Sequence, residues 1–218
     1  MKLNSVVFDL DGTLLDTLGD LRDSVNFALK KNNLPKRTTE EIRSFVGNGI
    51  RLLIELSVPQ NTPIEVTDQC FADFKEYYKD HSAILTKPYN SIIDLMKKLK
   101  SKGVKIAVVS NKADFAVKTL MEDYFSGLYD CAYGERAGVP RKPEPDAVLA
   151  AINEMGAKIE NTVYIGDSEV DVITSKNAKL PCIAVTWGFR DKKVLEELKP
   201  EYIVDSPEQI LNIIERGI

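Results

Sequence analysis

Short apolar runs rich in β-branched residues alternate with longer amphipathic stretches along most of this chain. The runs have the length and composition of strands buried on both faces, and the stretches carry apolar residues at helical spacing. The predicted strands are Ser5–Phe8, Val104–Val109, Tyr129–Tyr133, Thr162–Ile165, Cys182–Thr186 and Tyr202–Val204. The predicted helices between and after them are Ile92–Lys100, Asp114–Glu122, Asp146–Met155, Val170–Asn177, Val194–Leu198 and Pro207–Arg216. This alternation predicts an α/β fold, a Rossmann-like doubly wound parallel sheet covered by helices on both faces.

The alternation stops after the first strand, where a long segment contains helical patterns only. The predicted helices of this segment are Leu21–Lys31, Thr39–Phe45, Ile50–Leu56 and Thr67–Lys79. A block of helices inserted into a sheet domain is typical of a separate small domain. We therefore predict a core of residues 1–15 and 83–218 and an inserted α-helical domain of residues 16–82.

Polar residues follow several predicted strands at the point where each strand ends. In open parallel sheets the carboxyl ends of the strands lie at one edge, where ligands bind. The residues in question are Asp9 and Asp11, Ser110 and Asn111, Lys142, and Asp167 with Asp171. Asp171 stands four residues after Asp167, which places the two on one face of a helical turn. The sequence therefore predicts one polar site at this edge.

Four aspartates gathered in one site need a cation. Two unit charges about 4 Å apart interact by roughly 4 kcal/mol at an effective dielectric constant near 20, so an unneutralised cluster is costly. A hard divalent ion with oxygen ligands removes that cost, and Mg²⁺ is the default candidate. Each motif also has a purely structural reading: Asp9 in an Asx turn, Ser110 or Asn111 as a helix cap, Lys142 solvated, Asp167 as a cap. The last reading does not account for Asp171.

Composition and charge exclude several classes of protein. The net charge is −4 and Lys and Arg form no long run, so there is no electrostatic footprint for nucleic acid or an anionic membrane. The apolar runs are far shorter than the roughly 20 residues that span a bilayer. His81 is the only histidine, which excludes His-based triads. The three cysteines, Cys70, Cys131 and Cys182, are widely spaced, so we expect buried free thiols and no disulfide framework. We expect a cytoplasmic protein, and the sequence predicts no oligomeric state.

Four motifs, in this order, resemble those of the haloacid dehalogenase superfamily of phosphohydrolases. They are Phe8-Asp9-Leu10-Asp11-Gly12-Thr13, Val108-Val109-Ser110-Asn111-Lys112, Arg141-Lys142-Pro143-Glu144-Pro145-Asp146 and Tyr164-Ile165-Gly166-Asp167-Ser168-Glu169-Val170-Asp171. The resemblance covers essentially the whole chain. Within this superfamily, the second aspartate of the first motif, Asp11, makes the chain resemble phosphomonoesterases and phosphomutases. Transport ATPases carry Thr at that position, and true dehalogenases lack both this aspartate and the metal.

The resemblance implies a role for each matching residue. Asp9 would be the nucleophile that forms an aspartyl-phosphate, and Asp11 the general acid that later activates water. The phosphoryl oxygens would be held by Ser110 and Lys142, with Thr13 and Asn111 as further substrate-binding residues. The Mg²⁺ ligands would be Asp9, the backbone carbonyl of Asp11, and Asp167, with Asp171 as a direct or water-mediated partner.

The inserted helical domain resembles the small cap of phosphoglycolate phosphatase and β-phosphoglucomutase relatives. In it, Gly49 permits close approach of the backbone and Arg51 could reach a substrate anion, although a helix–helix turn with a solvated arginine is an equal reading. The resemblance favours Mg²⁺-dependent hydrolysis of a small phosphomonoester, with 2-phosphoglycolate as the best single candidate. The rivals are a β-phosphoglucomutase-like isomerase, a pyrophosphatase and, from another class, a non-catalytic phospho-accepting regulatory module.

Overall fold

Strand β1, Ser5–Phe8, lies inside a six-stranded sheet whose neighbouring strands all run parallel. This computed structural model describes residues 3–217. The further strands in that range are β2 (Leu15–Asp16), β3 (Lys87–Pro88), β4 (Lys105–Ala113), β5 (Cys131–Glu135), β6 (Thr162–Gly166), β7 (Cys182–Val185) and β8 (Tyr202–Val204). The strand order in the six-stranded sheet is β5-β4-β1-β6-β7-β8. The predicted doubly wound parallel sheet is confirmed.

The helices of residues 3–217 fall into two sets. Those of the inserted segment are α1 (Leu18–Lys31), α2 (Thr39–Phe45), α3 (Ile50–Ser57) and α4 (Ile64–His81). Those that alternate with the strands are α5 (Ile92–Ser101), α6 (Asp114–Phe125), α7 (Asp146–Glu154), α8 (Glu169–Asn177), α9 (Lys192–Leu198) and α10 (Pro207–Arg216). Within this range no helix is both long and apolar enough to cross a membrane.

The two faces of the sheet bury two separate apolar layers. Val6 and Phe8 of β1 belong to one layer, while Val7 between them belongs to the other, as the alternation of side chains along a strand requires. Burying a side chain such as that of Phe8 stabilises the fold by about 1.5–3 kcal/mol. Because β1 is buried on both faces, its carboxyl end, where Asp9 follows, is held rigidly.

Strand β4 is longer than the sequence predicts. The apolar run ends at Val109, but the extended backbone continues through Ser110, Asn111 and Lys112, all of them buried. Pairing between β4 and β5 shifts register between Val109 and Ala113 and resumes at Ala113. The pairing that resumes at Ala113, which local polarity does not reveal, thus extends the strand across these three polar residues.

The chain divides into two compact units, one formed by residues up to Leu15 and from Pro88 onward, the other by Asp16–Lys87. The second unit has its own apolar core, which includes Val25, Leu29 and Phe74. The predicted return to the sheet domain at residue 83 falls before this boundary. The difference has a physical cause in Asp20, whose carboxylate accepts hydrogen bonds from the backbone N–H groups of residues 84, 85 and 86 at 2.8–3.1 Å and so ties them to the helical unit.

Candidate active site

The sheet brings together carboxylates that are far apart in sequence. Phe8 lies beside Ile165 in the register of β1 and β6, and the Asp9 N–H donates to the Ile165 carbonyl at 2.9 Å. Asp9 therefore lies next to Asp167, which follows β6. One oxygen from each of Asp9, Asp167 and Asp171 lies within 4.8 Å of the others, and all three residues are buried.

Lys142 is the cation of this cluster. Its Nζ donates to Asp9 Oδ1 at 2.8 Å, to Asp171 Oδ1 at 2.8 Å and to the Tyr164 hydroxyl at 3.0 Å. Only 3% of its side chain is exposed. Burial alone would lower the pKa of Lys142, but the charges of Asp171 and Asp9 raise it well above its ordinary value, so the side chain stays charged.

Asn111 holds the loop that carries Lys142. Its side-chain Nδ2 donates to the Lys142 carbonyl at 3.0 Å, and its Oδ1 accepts from the Lys142 N–H at 2.9 Å. This reciprocal pair fixes the backbone of a residue that lies on another loop. The predicted contact of Asn111 with substrate stays a prediction, while its role in placing Lys142 is visible in the structure.

Both carboxylate oxygens of Asp171 accept hydrogen bonds. Its Oδ1 accepts from Lys142 and Tyr164, and its Oδ2 accepts from the N–H groups of Asp167 and Ser168 and from the Ser168 hydroxyl. The Ser168 contacts form a capping box at the start of α8. Burial raises the pKa of Asp171, but Lys142 and the hydrogen bonds outweigh it and hold the pKa below its ordinary value. Asp171 is thus an ionised anchor for Lys142.

Asp167 is enclosed by two loops. Its Oδ1 accepts from the Thr13 hydroxyl at 3.1 Å and its Oδ2 from the Phe189 N–H at 2.7 Å. A Cβ added to Gly12 or to Gly188 would lie 2.4 Å from Asp167 Oδ2, so only glycine fits at either position. Thr13 is fully buried and its hydroxyl is committed to Asp167. Its predicted contact with substrate stays a prediction.

Asp11 has a lysine of its own. Lys112 Nζ donates to Asp11 Oδ1 at 3.0 Å, and the exposed fractions of the two side chains are 2% and 15%. Sequence reasoning missed Lys112 as well as Tyr164. The available signal for Lys112 is its place in the second motif, two residues after the predicted site residue Ser110.

The electrostatics of the cluster fit a divalent cation. Burial, followed by the charges of Asp171 and Asp167, raises the pKa of Asp9 well above its ordinary value despite Lys142. Burial and the charge of Asp171 raise the pKa of Asp167 to about 7, against the hydrogen bonds from Phe189 and Thr13. Four ionised aspartates beside two lysines would leave two negative charges unbalanced. Carboxylate oxygens with this excess of charge are suited to Mg²⁺.

The remaining predicted residues lie in two places. Ser110 is buried on β4, and its hydroxyl accepts from the Lys112 N–H at 3.2 Å. Gly49, with φ of 83°, precedes α3 in the helical unit. On α3, Arg51 is paired with Glu55 at 2.6 Å and with Asp68 at 2.5 Å. Contact of these three residues with substrate stays a prediction, as does metal ligation by the Asp11 carbonyl.

Comparisons with known proteins find similar chains under two kinds of name, phosphoglycolate phosphatase and pyrophosphatase. The family described as haloacid dehalogenase-like hydrolase matches residues 6–185. The chain is 32% identical to phosphoglycolate phosphatase 1 of Pseudomonas aeruginosa, over 94% of this chain and 78% of that one. It is 29% identical to a provisionally named pyrophosphatase of Caldanaerobacter subterraneus, over 98% and 96%. A crystal structure from Lactobacillus delbrueckii, provisionally assigned as a phosphoglycolate phosphatase, is 36% identical and superposes with a TM-score of 0.94 over all of both chains.

Proposed function

The chain belongs to the haloacid dehalogenase-like hydrolase family, and we propose that it is a Mg²⁺-dependent phosphatase that hydrolyses a small phosphomonoester through an aspartyl-phosphate. The observation that carries this proposal is the pairing of the buried Asp9 with Lys142 at 2.8 Å, beside Asp167. A buried carboxylate oriented by a cation is suited to nucleophilic attack on phosphorus. The same cation can balance the negative charge of a phosphoryl group.

Two aspartates divide the chemistry between them. In the first step, a carboxylate oxygen of Asp9 bonds to phosphorus, the bond from phosphorus to the ester oxygen breaks, and Asp11 gives its proton to the leaving oxygen. In the second step, a water oxygen bonds to phosphorus, the bond from phosphorus to Asp9 breaks, and Asp11 takes the proton of the water. The products are an alcohol and inorganic phosphate, and both aspartates return to their starting forms.

The other residues of the site would bind and orient the reacting groups. Lys142 would hold a phosphoryl oxygen, and Ser110 would donate a second hydrogen bond to the group. Asp9, the backbone carbonyl of Asp11 and Asp167 would hold Mg²⁺, which when bound balances charge on the phosphoryl group. Asp171 is paired with the Lys142 ammonium group and accepts from the Asp167 N–H, so it supports both groups, and its direct or water-mediated contact with Mg²⁺ stays a prediction.

Among substrates we propose 2-phosphoglycolate, supported by the name of the relative in Pseudomonas aeruginosa. Pyrophosphate is the second candidate, because a relative of similar identity is named as a pyrophosphatase. A mutase would use the same two aspartates but keep water from the aspartyl-phosphate. That the helical unit acts as a cap, and that the protein is cytoplasmic, also stay predictions.

Phosphate release tests the proposal directly. The panel consists of 2-phosphoglycolate, pyrophosphate, sugar phosphates and nucleoside monophosphates, each with Mg²⁺ and with EDTA, beside an Asp9→Asn variant. We expect Mg²⁺-dependent release that is greatest with 2-phosphoglycolate and abolished in the variant. Release that survives Asp9→Asn would exclude the covalent mechanism. Isomerisation of a sugar phosphate without release would identify a mutase, and no turnover of any substrate would contradict the proposal.

A further inference from the structure

Each aspartate of Asp9-Leu10-Asp11 meets a different buried lysine. Lys142 lies 2.8 Å from Asp9, and Lys112 lies 3.0 Å from Asp11. The lysine side chains are 3% and 2% exposed. Removing an ammonium group from water costs several kcal/mol unless it is well paired, so a lysine this deeply buried is not a solvated surface residue that happens to lie near a carboxylate.

We propose that Lys112 is a positioning residue for Asp11, which fixes the direction of its carboxylate for proton transfer to the leaving group. The inference rests on the proposed function, because it assigns to Asp11 the proton that the leaving oxygen takes. Under this proposal the two lysines act in different parts of the reaction. Lys142 acts at Asp9 and phosphorus, whatever the leaving group, whereas Lys112 acts only where a proton moves to or from Asp11.

The surroundings of Lys112 are suited to this role. Its backbone lies in β4, the strand that pairs with β1 in parallel register, and its N–H donates to the Ser110 hydroxyl at 3.2 Å. The backbone that carries the ammonium group is thus held at Ser110 on one side and, through the pairing of Ala113 with β5, on the other. When Asp11 has given up its proton, its negative carboxylate lies beside a positive charge and keeps the same hydrogen bond. The carboxylate is then correctly placed to accept the proton of the attacking water.

The test compares two small substrates that differ in their need for an acid. The alkoxide leaving 2-phosphoglycolate needs a proton, whereas acetate leaves acetyl phosphate as a stable anion. We expect Lys112→Gln to lower kcat/KM for 2-phosphoglycolate about 100-fold, the scale of general acid catalysis, and kcat/KM for acetyl phosphate by less than about threefold on the same reasoning. The ratio kcat/KM is the correct measure, because it reports the steps up to departure of the leaving group.

Two further variants control for charge and for folding. Lys112→Arg keeps a cation at this position and should recover part of the lost activity toward 2-phosphoglycolate. Lys105→Gln removes a lysine from the other end of β4, whose Nζ binds the carbonyls of Met155 and Gly156. It should leave the ratio of the two kcat/KM values unchanged. Thermal unfolding of each variant shows whether the fold is retained.

A double-mutant cycle with Asp11→Asn keeps the proposal falsifiable if Lys112→Gln alone fails to fold, because the double variant leaves neither charge unpaired. Adding Lys112→Gln to Asp11→Asn should cause little further loss with 2-phosphoglycolate. Equal losses with both substrates in Lys112→Gln, or additive losses in the cycle, would overturn the role of Lys112 while leaving the phosphatase intact. A wild-type protein that hydrolyses neither substrate would instead refute the proposed function, and this inference with it.

Discussion

Gly188 leaves room for Asp167, and replacing it with alanine tests whether that room matters. A Cβ at Gly188 would lie 2.3 Å from Asp167 Cβ and 2.4 Å from Asp167 Oδ2. Ordinary van der Waals contact begins at 3.4 Å. The neighbouring side chain must therefore retreat by about 1 Å, since the contact is with the root of the side chain and a change of rotamer does not relieve it.

The expected effect follows from that displacement. A misplacement of about 1 Å in a catalytic group can lower the rate about 100-fold. Disturbing the residues that orient a metal ligand lowers metal affinity about 10- to 100-fold. The overpacking itself should cost about 1–3 kcal/mol of the free energy of unfolding. Gly188→Ala should thus remain folded, turn over slowly and need more Mg²⁺.

The assay is phosphate release as a function of Mg²⁺ concentration, with the free energy of unfolding measured in urea. Gly127→Ala is the control, because Gly127 has φ of +75° and nothing within 4 Å of an added Cβ. That variant should lose about 1 kcal/mol of stability from backbone strain and keep its activity. Wild-type turnover and Mg²⁺ dependence in Gly188→Ala would refute the claim that Asp167 is tightly enclosed and binds the metal.

Three further predictions concern the hydrogen-bond networks. Tyr164→Phe removes the hydroxyl shared by Lys142 and Asp171 and should lower the free energy of unfolding by about 1–3 kcal/mol in urea denaturation; an unchanged value would mean that the network is held without it. Asp20→Ala leaves the N–H groups of residues 84–86 without their acceptor and should speed amide hydrogen exchange there, whereas unaltered exchange would contradict the assignment. Burial raises the pKa of Asp73, but hydrogen bonds from Lys31, Asn32 and Gln69 outweigh it, so the pKa falls below 3.8. That stabilisation is present above about pH 4 and is lost as pH falls through the lowered pKa, so stability measured from pH 6 to pH 3 should depend less on pH in Asp73→Asn.

The sequence predicts the sheet and the place of the aspartates because both depend on local patterns. Strand β1 occupies the predicted residues, because its apolar run is buried on both faces and polar residues mark where the run ends. Asp9 and Asp167 meet because parallel strands place their carboxyl ends at one edge. For these features, the order of the strands along the chain and the pattern of hydrophobic residues are sufficient for a correct prediction.

Other features depend on contacts between distant residues. Lys112 and Tyr164 stand inside two of the sequence motifs, but only their partners on other strands and loops, Asp11 and Lys142, bring their side chains into the site. Asn111 looks like a phosphate-binding amide, but its side chain pairs with the Lys142 backbone. The boundary of the helical unit at Lys87 likewise depends on Asp20, a carboxylate more than sixty residues earlier.

Asp20 also bears on how a helical segment can be inserted into a sheet domain. Its carboxylate joins the first helix of the helical unit to the segment that ends it, and the Thr86 hydroxyl adds a fourth donor group at 2.7 Å. The first and last residues of Asp16–Lys87 are thereby kept near each other by bonds internal to that segment. A segment with adjoining ends can be inserted into a host domain without stretching the host. In evolutionary terms, such adjoining ends are what would allow a segment like Asp16–Lys87 to be gained or replaced as a unit.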